Sequence, residues 1–225
     1  MAYKLVIFDL DGTLVDSVRD VADCFDAALQ ECGFPARGVD AVGRLVGQPL
    51  EQIVRQLLPA SATDGDVSVV SQAYRRVYAA SPKPNTKPYP GMLDLLHTLV
   101  GKGVKIAVNS NKPHENAVRV MESLYPGIPM RISGYGDVST TKPAPEGARL
   151  LMREAGVLPN ETVYVGDTKV DLDTANNAGI DCILVTWGQG NNDALLEHRT
   201  TPTVSSSKEL KIVLECKNVS DGGIS

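Results

Sequence analysis

Long apolar runs and an excess of basic charge are both missing from this chain of 225 residues. No stretch approaches the roughly 18 consecutive apolar residues that mark a membrane-spanning helix. The first residues lead directly into a strand-like run, without the layout of a signal peptide. The net charge of −5 argues against a broad surface for nucleic acid or anionic membranes. We therefore expect a cytoplasmic protein without nucleic-acid or membrane partners, although a local basic pocket for an anion is still compatible with this charge.

Cysteine and histidine are scarce and scattered. The four cysteines, Cys24, Cys32, Cys182 and Cys216, form no CxxC pair, and the three histidines follow no metal-ligand spacing. Such spacing favours reduced, structural thiols over a metal cage or a disulfide framework. A metal site in this chain would therefore have to be built from oxygen ligands.

The most informative segment is the apolar run Leu5–Phe8, which ends in two acids one residue apart, Asp9 and Asp11. A short apolar run bounded by a turn signal, here Gly12-Thr13, is typical of an interior parallel strand, and ligands of open parallel sheets gather at the carboxyl ends of the strands. Side chains two apart on a strand face the same way. Two carboxylates in one cavity repel each other, so this spacing indicates a hard metal ion or acid/base chemistry.

The remaining pattern predicts an α/β domain that is interrupted after its first strand. Residues 17–81 show helical periodicity without a convincing strand, and four prolines in residues 81–90 favour an extended connector. Helices and strands then alternate, with a strand at 104–108, which predicts a parallel sheet covered on both faces. We predict a catalytic core of residues 1–16 and 82–216, a helical cap of residues 17–81, and a flexible tail of residues 217–225.

Polar residues follow several of the later predicted strands. They comprise a hydroxyl and an amide (Ser110, Asn111), an ammonium (Lys142) and two carboxylates (Asp167, Asp171). Each alone is typical of a turn, a helix cap or a solvated loop. Together they supply what phosphoryl transfer requires, namely carboxylates for Mg²⁺ and a hydroxyl, an ammonium and loop N–H groups for phosphate oxygens.

Four segments in this order, Asp9–Ser17, Ser110, Lys142-Pro143 and Gly166–Asp171, resemble the four motifs of the haloacid dehalogenase superfamily. The helical insert directly after the first motif is similar to that of the phosphoglycolate phosphatase-like branch, which has a small helical cap of the C1 type. The resemblance implies a Rossmann-like doubly wound core and a Mg²⁺-dependent phosphatase that hydrolyses a small phosphorylated metabolite. It is compatible with a monomer or a homodimer.

The same resemblance implies a role for each matching residue. Asp9 would be the nucleophile and Asp11 the general acid/base. Asp9, Asp167 and the backbone carbonyl of Asp11 would hold Mg²⁺, while Asp171 behind them would orient Lys142 or a metal-bound water. The phosphate-binding residues implied are Ser110, Asn111, Lys142, Gly12 and Thr13, and Thr13 is also expected to steady Asp11. Arg44, in a cap loop, is a candidate for substrate specificity.

Two alternatives are open at this point. A sugar-phosphate mutase of the same superfamily would share all four motifs and differ in small features of the cap. A phospho-aspartate receiver module also gathers acids, a hydroxyl and a lysine at the edge of a parallel sheet. It is normally about half this length and has no cap, so we regard it as the weaker alternative.

Overall fold

The computed structural model describes residues 3–188 and 201–216. The strands are β1 (Leu5–Phe8), β2 (Val15–Asp16), β3 (Lys87–Pro88), β4 (Lys105–Pro113), β5 (Met130–Tyr135), β6 (Thr162–Gly166), β7 (Asp181–Val185) and β8 (Thr203–Val204). The helices are α1 (Val18–Glu31), α2 (Val39–Gly43), α3 (Leu50–Leu57), α4 (Asp64–Ala80), α5 (Met92–Gly101), α6 (His114–Leu124), α7 (Glu146–Ala155), α8 (Lys169–Ala178) and α9 (Ser207–Cys216).

Six of these strands form one sheet in the order β5-β4-β1-β6-β7-β8, and every neighbouring pair is parallel. Strands β2 and β3 form a separate short antiparallel pair. When the six strands of the large sheet are numbered by themselves along the chain, their order is 3-2-1-4-5-6, which is that of a doubly wound sheet. The predicted Rossmann-like α/β fold is thereby confirmed. The chain reverses its winding direction between β1 and β6, and such a reversal opens a crevice at the carboxyl ends of the strands.

Strand β1 is central because all four of its residues are apolar and buried. Val6 and Phe8 enter a core with α5, α6 and α9, while Leu5 and Ile7 enter a second core with α7 and α8. Alternate side chains of one strand therefore fill the two faces of the sheet, as expected for a strand covered on both sides.

Helices α1 to α4 enclose a third apolar cluster of their own, in which the rings of Phe25 and Tyr74 stack with centroids 3.9 Å apart. The chain leaves the sheet through β2 and returns through β3, where Asp16 pairs with Lys87. Nearby, the buried carboxylate of Asp20 accepts hydrogen bonds from the backbone and side chain of Asn85 and from the hydroxyl of Thr86. This separate cluster supports the predicted division at residues 17 and 81, which stays a prediction.

The structure differs from the sequence-based expectation in the length of one strand. Strand β4 runs to Pro113, beyond the predicted end at residue 108, because Asn109 still pairs with Ser133 of β5 before an irregularity in the register. The predicted tail at 217–225 lies outside the described residues. None of the helices within residues 3–188 and 201–216 combines the length and apolarity that a membrane span requires.

Candidate active site

The ends of β1, β4 and β6 bring the predicted site residues to one edge of the sheet. Asp9 directly follows β1, Ser110 lies near the end of β4, and Asp167 directly follows β6. Since β1 is hydrogen-bonded to both β4 and β6, these three side chains are neighbours although they are far apart in the sequence. The crevice at the winding reversal is therefore lined by the residues that the sequence predicted.

Lys142 is a buried cation at this edge. Its Nζ lies 2.6 Å from Oδ1 of Asp9 and 2.6 Å from Oδ1 of Asp171, and its side chain is 2% exposed. Burial opposes the charge on this lysine, but the carboxylates of Asp171 and Asp9 outweigh burial and raise the pKa of Lys142 well above its usual value. Lys142 is therefore held as an ammonium between two carboxylates.

Asp171 also caps the N-terminus of α8. Its Oδ2 accepts hydrogen bonds from the backbone N–H of Thr168, at 3.0 Å, and from the Thr168 hydroxyl, at 2.7 Å. The backbone N–H of Asp171 in turn donates to the hydroxyl oxygen of Thr168 at 3.3 Å, and together with the bond from the Thr168 N–H this completes a capping box that begins the helix. The helix start thus fixes Asp171, whose other carboxylate oxygen lies against Nζ of Lys142. The role of Asp171 in orienting Lys142 stays a prediction.

Burial and neighbouring acids act together on the carboxyl group of Asp9. Its pKa is raised well above its usual value, first by burial and then by repulsion from Asp171 and Asp167, against the opposing attraction of Lys142. Its Oδ2 is buried and has no hydrogen-bond partner within the described part of the chain. A buried carboxylate oxygen without a donor is costly, so this atom points to a missing cation.

Asp167 lies in a narrow cradle formed by two glycines. A Cβ on Gly12 or on Gly188 would collide with its carboxylate, and Gly12 has a φ of +91° that favours glycine. The hydroxyl of Thr13 donates a hydrogen bond to Oδ1 of Asp167 at 3.1 Å. Thr13 was expected to steady Asp11, and this expectation is wrong, because the turn at Gly12 directs the hydroxyl to Asp167.

These acids fit a hard divalent cation. Carboxylate oxygens of Asp9, Asp167 and Asp171 lie within 4.8 Å of one another. Both oxygens of Asp171 are engaged, one with Lys142 and one with Thr168. Asp9 and Asp167 are therefore the side chains that would hold Mg²⁺, which prefers one or two carboxylates and other oxygen ligands. Asp11 would contribute only its backbone carbonyl, as expected, because its carboxylate is not part of this group.

The carboxylate of Asp11 has a different set of partners. Ser17 donates a short hydrogen bond to Oδ1, and Nζ of Lys112 lies 3.0 Å from Oδ2. Nζ of Lys112 also donates to the hydroxyl of Tyr78 in the cap, at 2.9 Å, and lies 4.5 Å from the centre of that ring. No role was predicted for Lys112 from the sequence. Its position two residues after Ser110 on a strand indicates that both side chains lie on the same face, because alternate residues of a strand share a face.

Asn111 connects the cap to the loop that carries Lys142. Its Nδ2 donates to the carbonyl of Gly47, at 2.9 Å, and to that of Lys142, at 3.2 Å, while its Oδ1 accepts from the backbone N–H of Lys142 at 2.7 Å. Both ends of this amide are thus engaged with backbone groups. These contacts favour a positioning role for Asn111 over the predicted direct binding of phosphate. Ser110 is buried, and its Oγ accepts from the backbone N–H of Lys112.

A cavity of about 60 Å³ lies between this edge and the cap. Its core side is lined by Asp9, Asp11, Ser110, Asn111, Lys112 and Pro113, and its cap side by Val21, Phe25, Val46, Gly47, Gln48, Leu50, Ile53, Tyr74 and Tyr78. Arg44 is exposed and is not among the lining residues. The structure therefore does not bring Arg44 into the site, because the buried Val42 and Val46 on either side turn it away from the cap interior.

Residues 6–185 match the family model described as haloacid dehalogenase-like hydrolase. A phosphoglycolate phosphatase of Pseudomonas putida is 36% identical over 191 residues, which are 82% of this chain and 70% of that protein. One of Aquifex aeolicus is 31% identical, over 82% of this chain and 85% of that protein. The crystal structure of a protein assigned as a phosphoglycolate phosphatase, from Lactobacillus delbrueckii subsp. bulgaricus, superposes with a TM-score of 0.89 at 30% identity, covering 95% of this chain and 99% of that chain.

Proposed function

Because the chain belongs to the haloacid dehalogenase-like hydrolase family, in its phosphoglycolate phosphatase-like branch, we propose that it hydrolyses phosphoglycolate or a similar small phosphate monoester through an aspartyl-phosphate, with Mg²⁺ as cofactor. The resemblance of the four motifs to this family is confirmed, and the chain is an enzyme of the phosphatase class. One observation carries the proposed mechanism. Oδ1 of Asp9 pairs with the ammonium of Lys142, whereas the buried Oδ2 has no hydrogen-bond donor among the described residues.

In the first step, a carboxylate oxygen of Asp9 attacks phosphorus, and the bond from phosphorus to the ester oxygen breaks. Asp11 gives its proton to the departing oxygen, so that a neutral alcohol leaves. Lys142 and Ser110 stabilise the negative charge of the transferring phosphoryl group. In the second step, Asp11 takes a proton from a water molecule, this water attacks phosphorus, and the bond to Asp9 breaks to release inorganic phosphate. Bound Mg²⁺, held by Asp9 and Asp167, would supply positive charge against the phosphate oxygens.

The small cavity supports a small substrate. A volume of about 60 Å³ favours a substrate with a short leaving group. Seven of the lining residues from the cap are apolar or aromatic, so the cap offers the leaving group a largely apolar surface. A cytoplasmic location, the absence of nucleic-acid and membrane partners, and a monomeric or homodimeric state stay predictions.

Phosphate release by the purified enzyme tests this proposal. We expect turnover of phosphoglycolate with Mg²⁺, loss of turnover on chelation, and loss of about 10³-fold or more in the Asp9→Asn variant. Substantial turnover by Asp9→Asn contradicts the assignment of the nucleophile. Isomerisation of a sugar phosphate in place of phosphate release identifies a mutase, and stable phosphorylation without turnover identifies a receiver module.

A further inference from the structure

Lys112 is a buried cation that the proposed reaction does not use. Its side chain is 5% exposed, and it lines the cavity between core and cap. Among the lining residues that the structure describes, it is the only one with a positive charge. Lys142, by comparison, is held between Asp9 and Asp171 and is not part of this lining. The cavity therefore contains one cation beyond those expected to serve phosphate.

The surroundings of Lys112 favour an anionic ligand. The cap side is apolar or aromatic around it, with Phe25, Ile53 and Tyr74 among the lining residues. An ammonium in such surroundings is stable only when an anion or several hydrogen bonds accompany it. Here the hydroxyl and ring of Tyr78 hold the lysine in place, and the carboxylate of Asp11 is its only anionic partner within the described chain.

The position of Lys112 relative to Asp11 selects the part of the substrate that it can reach. In the proposed reaction, Asp9 receives the phosphoryl group, and Asp11 lies at the ester oxygen. Nζ of Lys112 lies 3.0 Å from Oδ2 of Asp11, on the side of the cavity that the cap closes. A group attached one carbon beyond the ester oxygen therefore falls beside Lys112.

We propose that Lys112 binds a carboxylate on the leaving group, so that the enzyme selects phosphate esters of short 2-hydroxy acids. This inference rests on the proposed function and adds a residue for specificity. The carboxylate takes the place of Asp11 as the anionic partner of Lys112, while Tyr78 continues to hold the ammonium. A charge-assisted hydrogen bond beside apolar and aromatic side chains contributes strongly to this selection.

The test compares two esters with the same two-carbon skeleton, phosphoglycolate and ethyl phosphate, of which only phosphoglycolate carries a carboxylate. We expect the wild-type enzyme to prefer phosphoglycolate in kcat/KM. Lys112→Met lowers kcat/KM for phosphoglycolate by about 30-fold or more, mainly through KM, and it lowers the preference over ethyl phosphate by a similar factor. Lys112→Arg restores part of the preference because it keeps the charge.

One further variant serves as a control, and another provides a second test. Lys83 also lies over the ring of Tyr78, at 4.4 Å, but it does not line the cavity, so Lys83→Met keeps the preference. Tyr78→Phe removes the hydroxyl that holds Lys112 and reduces the preference even if Lys112→Met fails to fold. An equal loss on both esters overturns the inference, because Lys112 would then act only through Asp11. A wild-type enzyme without preference overturns it as well, and the absence of turnover on any phosphate ester overturns the proposed function itself.

Discussion

Nζ of Lys142 lies 2.6 Å from Oδ1 of Asp9, and both side chains are 2% exposed. This buried ion pair lies next to two further carboxylates, those of Asp167 and Asp171. The ammonium of Lys142 pairs with both Asp9 and Asp171 at the centre of the candidate site, so the charge balance at this edge depends on it.

Replacement of Lys142 is expected to destabilise the fold in the absence of metal. Lys142→Met leaves Asp9 and Asp171 buried without a cation, and breaking a buried pair in this way costs about 3–5 kcal/mol. Urea unfolding in the presence of a chelator measures the loss. The control is Lys169→Met, since Lys169 forms an exposed pair with Asp173 that contributes about 0.5 kcal/mol or less. Equal stabilities of the two variants would show that Lys142 is not needed for charge balance.

Substitution of Asp167 is expected to abolish stabilisation by Mg²⁺. A ligand that binds only the folded state stabilises it by about 2.7 kcal/mol at 100 times its Kd. Thermal unfolding with and without Mg²⁺ should therefore show an increase in Tm for the wild type and little or none for Asp167→Asn. Asp181→Asn is the control, because Asp181 lies outside the acidic cluster. An unchanged response of Asp167→Asn would exclude Asp167 as a ligand.

The proposed role of Asp11 as a general acid predicts that the effect of its substitution depends on the leaving group. An alkyl alcohol must be protonated as it departs, whereas a nitrophenolate departs without a proton. Asp11→Asn should therefore lower the rate of the phosphorylation step by about 10²- to 10⁴-fold with phosphoglycolate, and much less with the aryl ester nitrophenyl phosphate. Burst kinetics on the aryl ester separate this step from hydrolysis of the intermediate. Equal losses of the burst rate and of alkyl-ester turnover would argue against the role.

The contact between Asp20 and the returning chain should contribute to stability. Asp20→Ala removes the hydrogen bonds that the buried carboxylate of Asp20 accepts from Asn85 and Thr86, and hydrogen bonds to a charged group contribute about 1.5–3 kcal/mol. Asp23→Ala on the same helix is the matched control, because Asp23 forms only an exposed pair with Arg19. Urea unfolding of both variants measures the difference, and a loss no larger than that of the control would mean that this contact is not stabilising.

The capping box of α4 should be sensitive to acid. The hydroxyl and backbone N–H of Thr63 lower the pKa of Asp66, so the stability from this carboxylate is complete above its unfolded-state pKa of about 4 and is lost as pH falls through the lower folded-state value. Thr63→Ala should therefore reduce Tm most near neutral pH, with a difference from wild type that shrinks below about pH 4. A difference independent of pH would contradict this linkage.

The sequence predicted the site where local pattern and sheet topology are sufficient. Asp9 and Asp167 follow apolar strands, and any parallel sheet brings such strand ends to one edge. The partners of individual side chains depended on tertiary detail. Gly12 redirects Thr13 to Asp167, and the buried valines beside Arg44 turn it outward. The contact of Lys112 with Tyr78 joins core and cap across 34 positions of sequence, and no local pattern encodes such a contact.

The sheet order has a consequence for biosynthesis. The hydroxyl of Thr13 and the carboxylate of Asp167 are 154 positions apart in the sequence, yet they meet because β1 is inserted between β4 and β6. The segment after β1 therefore cannot form this contact until β6 and the following Asp167 have been translated. A nascent chain or a truncated product that ends before residue 167 lacks Asp167 and Asp171, and therefore lacks the second carboxylate that we propose as a ligand of Mg²⁺. Such a product is expected to be inactive even where it contains Asp9, Asp11 and Lys142.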